Sequence, residues 1–127
     1  MQRWTVQDKN MDFHKEADIL EVIFSKEEAN AAVRLTPDII LHFRAENQRA
    51  TSLIINNFTH LSQPDRHGPR AFRLQAEKWP EALRNKIWQI IASPPVSEWL
   101  TISSYQPQKI RPAIALATVH SHSMQTH

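Results

Sequence analysis

The chain predicts an α+β domain: an antiparallel meander sheet of about four strands, packed by one amphipathic helix, with a C-terminal strand pair. Three observations carry this expectation. Apolar residues alternate with a period of two through residues 19–55, the mark of half-buried strands. Those stretches lie about 12–15 residues apart with short connections, whereas a parallel crossover needs a dozen or more residues. One window in the second half, residues 79–92, switches to a helical period.

The elements follow in order. Leu20, Val22 and Phe24 share a face of the first strand, residues 19–24, which ends at Ser25-Lys26. Ala31, Val33 and Leu35 alternate with Asn30, Ala32 and Arg34 in the second. Thr36-Pro37-Asp38 signals a turn. Ile39, Leu41 and Phe43 alternate with Ile40, His42 and Arg44 in the third, and Leu53 and Ile55 share a face of the fourth. The loop at 45–49 lacks glycine, so Asn47 is expected to take its left-handed conformation.

The apolar sheet face needs a cover. Leu83, Ile87, Ile90 and Ile91 form one stripe of a helix. Pro80 suits its first position, Glu81 its positive end, and Pro94-Pro95 its stop. Residues 62–70 are polar and proline-bounded, hence a surface loop, and Phe72 and Leu74 begin a short extended piece. Residues 98–103 and 113–119 read as two more strands, the second open to helix as well through its alanines. Residues 1–119 form a single domain on this reading, and 120–127 a frayed tail.

Composition narrows the chemistry. Among 127 residues there is one glycine, Gly68, and no cysteine, where average usage gives about 9 glycines. Phosphate-cradling loops and nucleophile elbows need glycine where the backbone meets a ligand or takes φ > 0. Without cysteine there is no thiolate nucleophile and no cysteine zinc site. A net charge of +2 is too small to mark a nucleic-acid protein by itself. No apolar run approaches a membrane span, and residues 1–8 lack a signal-like apolar region, so a cytoplasmic protein is expected.

Phe13-His14-Lys15-Glu16-Ala17-Asp18 followed by the strand Ile19-Leu20-Glu21-Val22-Ile23-Phe24 resembles the opening of domain-of-unknown-function family 2283, a small bacterial family. That family begins with an aromatic residue, a short polar stretch, Glu-Ala-Asp and an apolar strand. Ile39-Ile40-Leu41-His42-Phe43-Arg44 and Ser52-Leu53-Ile54-Ile55-Asn56 fall where its later strands lie, so the resemblance covers about residues 11–61. It implies a small antiparallel sheet with a following helical segment, and an antitoxin-like pairing with another protein. The chain departs at His42 and Arg44, where the family carries acidic residues, and at Gln48 and Ser52, where it carries glycine.

Several residues invite a chemical reading. Glu16 and Asp18 are a carboxylate pair for acid–base or metal work, or a turn in which Asp18 binds backbone N–H groups. His120 and His122 form an H-x-H, but no carboxylate follows Glu98 to complete a metal site. Ser103-Ser104 and Ser121-His122 lack the strand–turn–helix that a triad needs. Arg66, Arg70, Arg73, Lys78 and Arg84 interleave with Trp79 and Trp88. That pattern suits a single-stranded nucleic-acid surface, or a solvated face whose tryptophans are core. His42 and Arg44 belong to an acid-binding surface or to the outer polar face of a sheet. Trp99 is core or an interface anchor. An enzyme without a recognisable motif would need His42 or His60 to meet an acid in a cleft. No catalytic residue, cofactor or metal ligand is assigned. The functional expectation is a non-enzymatic interaction or regulatory module with a protein partner or a second copy, open sheet edges favouring such pairing. The alternative is nucleic-acid binding through residues 66–88.

Overall fold

Two three-stranded runs make the main sheet. The computed structural model describes residues 2–6, 9–64, 66, 70–105 and 114–120. β1 (Gln2–Val6), β2 (Lys9–His14) and β3 (Ile19–Ile23) form the first run, and β4 (Ala31–Thr36), β5 (Ile39–Arg44) and β6 (Arg49–Asn56) the second. Their order is β1-β2-β3-β6-β5-β4, antiparallel throughout. The strands expected from sequence are β3 to β6, and β1 and β2 extend the sheet beyond them. The runs meet at β3 and β6, so β4 lies at the far edge. Residues 24–30 make that crossing easily: a linker of this length reaches about 23 Å, against about 14 Å for three strand spacings.

The period of two sorts the side chains. Met11 faces Val22, Leu20 faces Ile55, Leu53 faces Leu41, and Leu41 faces Val33. All are at most 8% exposed. Each such side chain contributes about 1.5–3 kcal/mol on burial.

The cover is assembled from three pieces. α1 (Phe58–Ser62) buries Phe58 and Leu61, and Phe58 meets Phe13 edge to face at 6.1 Å. α2 (Glu81–Ile91) buries Ile87, Ile90 and Ile91 in one cluster with the sheet, Leu83 packing at its margin. Pro80 precedes the helix instead of starting it, because its ψ of 131° is extended. A second sheet of β7 (Phe72–Arg73), β8 (Leu100–Tyr105) and β9 (Ile114–Val119) has the order β7-β9-β8. The expected strand pair is thus β8 and β9, and the extended piece at Phe72 joins it. The connection at 106–113 and the tail at 121–127, with His122, lie outside the described residues.

Three hydrogen bonds fasten the cover. The Gln75 N–H donates to Leu35 O at 2.8 Å and the Trp79 indole to Arg34 O at 3.2 Å. The Leu74 N–H donates to Ala115 O at 2.9 Å. Two carbonyls of the β4 edge are therefore occupied within the chain.

Scarce glycine shows in the turns. Asp18, Gln48 and Asn57 have φ of 57°, 53° and 54°. The left-handed residue of the β5–β6 turn is Gln48, a correction to Asn47. It is the last turn residue before β6, where the chain must reverse its twist into the strand. Asp18 reaches across the fold: its carboxylate accepts the Thr59 N–H at 3.0 Å and the Thr59 hydroxyl at 2.7 Å. Its carbonyl accepts the Phe58 N–H at 3.0 Å. It caps the first turn of α1 from a distant turn.

His120 is a second correction, because it is held in place and not frayed. Its N–H donates to Trp99 O at 2.8 Å. Ring Nδ1 lies 2.8 Å from Glu98 O and Nε2 meets the Thr101 hydroxyl. A carbonyl only accepts, so Nδ1 carries the proton and Nε2 accepts. Desolvation pushes the imidazole below its ordinary pKa.

Asp18→Ala is expected to cost about 1 kcal/mol, the usual value of a helix cap, whereas Glu16→Ala, on an exposed residue, leaves urea midpoints unchanged. Gln48→Gly is expected to raise stability by about 1 kcal/mol by relieving the left-handed Cβ contact, as read in thermal unfolding.

Candidate interaction surface

The face of the main sheet turned away from the core is the feature that stands out. Because inner positions hold Leu20, Val22, Leu53, Ile55, Ile39 and Leu41, the alternate positions point outward. Register sets them in rows across the strands. One row runs Glu21, Ile54, Ile40, Arg34 over β3, β6, β5 and β4. The next runs Ile23, Ser52, His42, Ala32. Ile19 stands in a third row opposite Asn56.

Ile19, Ile23, Ile40 and Ile54 are half-buried by their row neighbours, and none belongs to the core cluster or packs against it. They form an apolar centre with no second layer among the described residues. Glu21 stands between Ile19 and Ile23 on β3, beside buried Asp12 of β2, and exposed Arg34 borders the patch on β4. Arg34 donates one N–H to Pro37 O at 2.7 Å, leaving four further donors on its guanidinium.

His42 lies in this face, with Nδ1 3.1 Å from the Ser52 hydroxyl. The expected His42–acid cleft is thus met by a hydroxyl. His60 is exposed on α1. Arg44 has a different task. It donates to Glu28 O at 2.7 Å and pairs with Glu46. Asn30 donates to Glu46 at 2.6 Å and accepts the Ala45 N–H at 3.0 Å. Arg44 therefore ties the β5–β6 turn to the strand linker. The Asn30 amide, the Glu46 N–H and the Arg44 guanidinium hold the Glu46 carboxyl down at about 2, from an ordinary 4.5.

Trp99 is 2% exposed. It belongs to the core, which corrects its reading as an interface anchor: an anchor needs surface to offer in the free chain.

The basic segment is dispersed. Arg66, Arg73 and Lys78 are exposed. Arg70 donates to Gln63 O at 3.1 Å. Arg84 donates to Ala76 O at 3.2 Å and Trp79 O at 3.3 Å, closing the start of α2. Trp79 is buried, and its ring lies 4.9 Å from that of half-buried Trp88 with the planes tilted by 59°, so these tryptophans pack against each other and the core. The groove of about 530 Å³ beside β7 sets Arg73 and Lys78 against Asp38 and Glu77. Among the described residues no group of three or more His, Asp or Glu is placed to hold a metal ion. No described helix is long and apolar enough to cross a membrane.

Composition and periodicity missed this surface. Ile40 and Ile54 read as polar-face positions within apolar strands, and only the β3–β6–β5–β4 register brings them side by side. Comparison with protein-family models, curated proteins and solved structures found no match, so the surface itself carries the functional argument.

The Glu46 carboxylate supports folding at pH above its unfolded value and loses that support as pH falls from about 4.5 to about 2. An NMR titration is expected to show its midpoint near 2, and Asn30→Ala is expected to move that midpoint upward.

Proposed function

We propose that this chain is a non-enzymatic interaction module that binds protein through the outer face of its main sheet. One observation supports the reading most: four isoleucines share a sheet face that no layer of the described chain covers, with the Glu21 carboxylate among those of β3 and the Arg34 guanidinium at the margin. Uncovered apolar surface rimmed by charge is what protein-binding faces offer. A central apolar patch supplies affinity, and the bordering charges set orientation. The resemblance of residues 11–61 to family 2283 suggests an antitoxin-like form of this pairing. The nucleic-acid reading has less to support it, because Trp79 is buried, Trp88 packs against it and the core, and two of its arginines are bonded to carbonyls.

The test is purification from the source cell of wild type and of Ile40→Glu/Ile54→Glu, with circular dichroism to establish that the variant folds. The wild type is expected to bring down a stoichiometric protein species that the variant loses. A bound species unaffected by the variant would overturn this reading. Nucleic acid whose retention falls steeply with salt and with Arg70→Ala/Arg73→Ala would replace it.

A further inference from the structure

The outer face is complementary to itself. Over the four strands β3, β6, β5 and β4, Glu21 and Arg34 sit symmetrically about the middle of the β6–β5 pair, with Ile54 and Ile40 between them; beyond Glu21 the row continues to buried Asp12 on β2, which the operation carries past the β4 edge of the other copy. Place a two-fold axis parallel to the strands, above that pair, in the plane between two facing sheets. The operation exchanges left and right and keeps each residue in its row. Glu21 of one copy then lies over Arg34 of the other, and Ile54 over Ile40. The pairing occurs twice, as an isologous contact requires.

The next row obeys the same operation. Ile23 comes over Ala32, so a large side chain meets a small one, and His42 comes over Ser52. No like charges are opposed in either row. Within one chain Glu21 and Arg34 stand three strands apart, about 14 Å, too far to pair with each other. Two sheets in face contact pack about 10 Å apart, a distance that isoleucines fill and an extended Arg34 and Glu21 span. The other in-plane two-fold, perpendicular to the strands and along this row, would set Glu21 over Glu21 and Arg34 over Arg34, which is unfavourable.

From this symmetry we propose that the occupant of the outer face is a second copy of this chain, giving a two-fold dimer closed by two Glu21–Arg34 pairs around an isoleucine centre. The inference rests on the interaction-surface reading above and names its partner. The contact joins only four strands of each sheet, a footprint smaller than that of standard stable interfaces, so the dimer exchanges with monomer on dilution.

Sedimentation velocity on the full chain across a micromolar to submillimolar series tests this. Wild type is expected to pass from monomer to dimer as concentration rises. Glu21→Arg alone and Arg34→Glu alone each oppose like charges twice and are expected to weaken the dimer about tenfold or more. The double variant Glu21→Arg/Arg34→Glu restores opposite charges across the axis and is expected to recover most of the wild-type association. Ile54→Asp abolishes it while thermal unfolding remains cooperative. A dimer insensitive to Ile54→Asp, or a double swap no better than the single ones, overturns the proposed contact. A chain monomeric throughout overturns the second copy as partner. In that case binding of a hydrophobic dye separates the two ideas. Loss of dye on Ile54→Asp keeps the interaction surface for another protein, and unchanged dye removes that surface too.

Discussion

The antiparallel seam between β3 and β6 is the constraint on which the rest depends. It joins two three-stranded runs into one six-stranded sheet. Its register places Leu20 beside Ile55 and Val22 beside Leu53. A slip of one residue would turn both sets toward the opposite face. With the register fixed, the inner residues of five strands, β2 to β6, fall on one side and meet Phe58, Ile87, Ile91 and Trp99. The same register lines up Glu21, Ile54, Ile40 and Arg34 on the other side. Core and interaction surface are two consequences of one pairing.

Scarcity of glycine shapes how the chain turns. Asp18, Gln48 and Asn57 take left-handed conformations that glycine would take without strain. Two of them are compensated by bonds that a glycine lacks. Asp18 holds Thr59 through its carboxylate, and Asn57 donates to Asp38 at 3.2 Å. Gln48 is exposed and draws no such bond from the contacts described. The start of α2 works similarly. Pro80 has no capping side chain, and Arg84 closes the preceding turn by donating to two carbonyls. Arg70, like Arg84, donates to a backbone carbonyl, which takes both out of the basic segment.

The local patterns were legible. Alternation over residues 19–55 identified four strands, the Leu83–Ile91 stripe identified the covering helix, and residues 98–119 contained the strand pair. These rest on period and side-chain volume, which neighbours in sequence carry. Strand order was not legible, because β3 and β6 are about 30 residues apart and nothing in either names the other. β1 and β2 carry too few apolar residues to announce themselves. Trp99 shows the same limit: a tryptophan after a proline pair reads as core or anchor until its surroundings exist.

By itself, then, the sequence determined the α+β class, the residues that face inward, and the exclusion of glycine-loop and thiolate chemistry. These follow from composition and from the geometry of one strand or one helix. Only the tertiary structure decided that the outward isoleucines of β3, β6 and β5 adjoin in one face, with Glu21 and Arg34 on either side of Ile54 and Ile40. That is a relation between strands, set by register, and register depends on how the whole inner face packs.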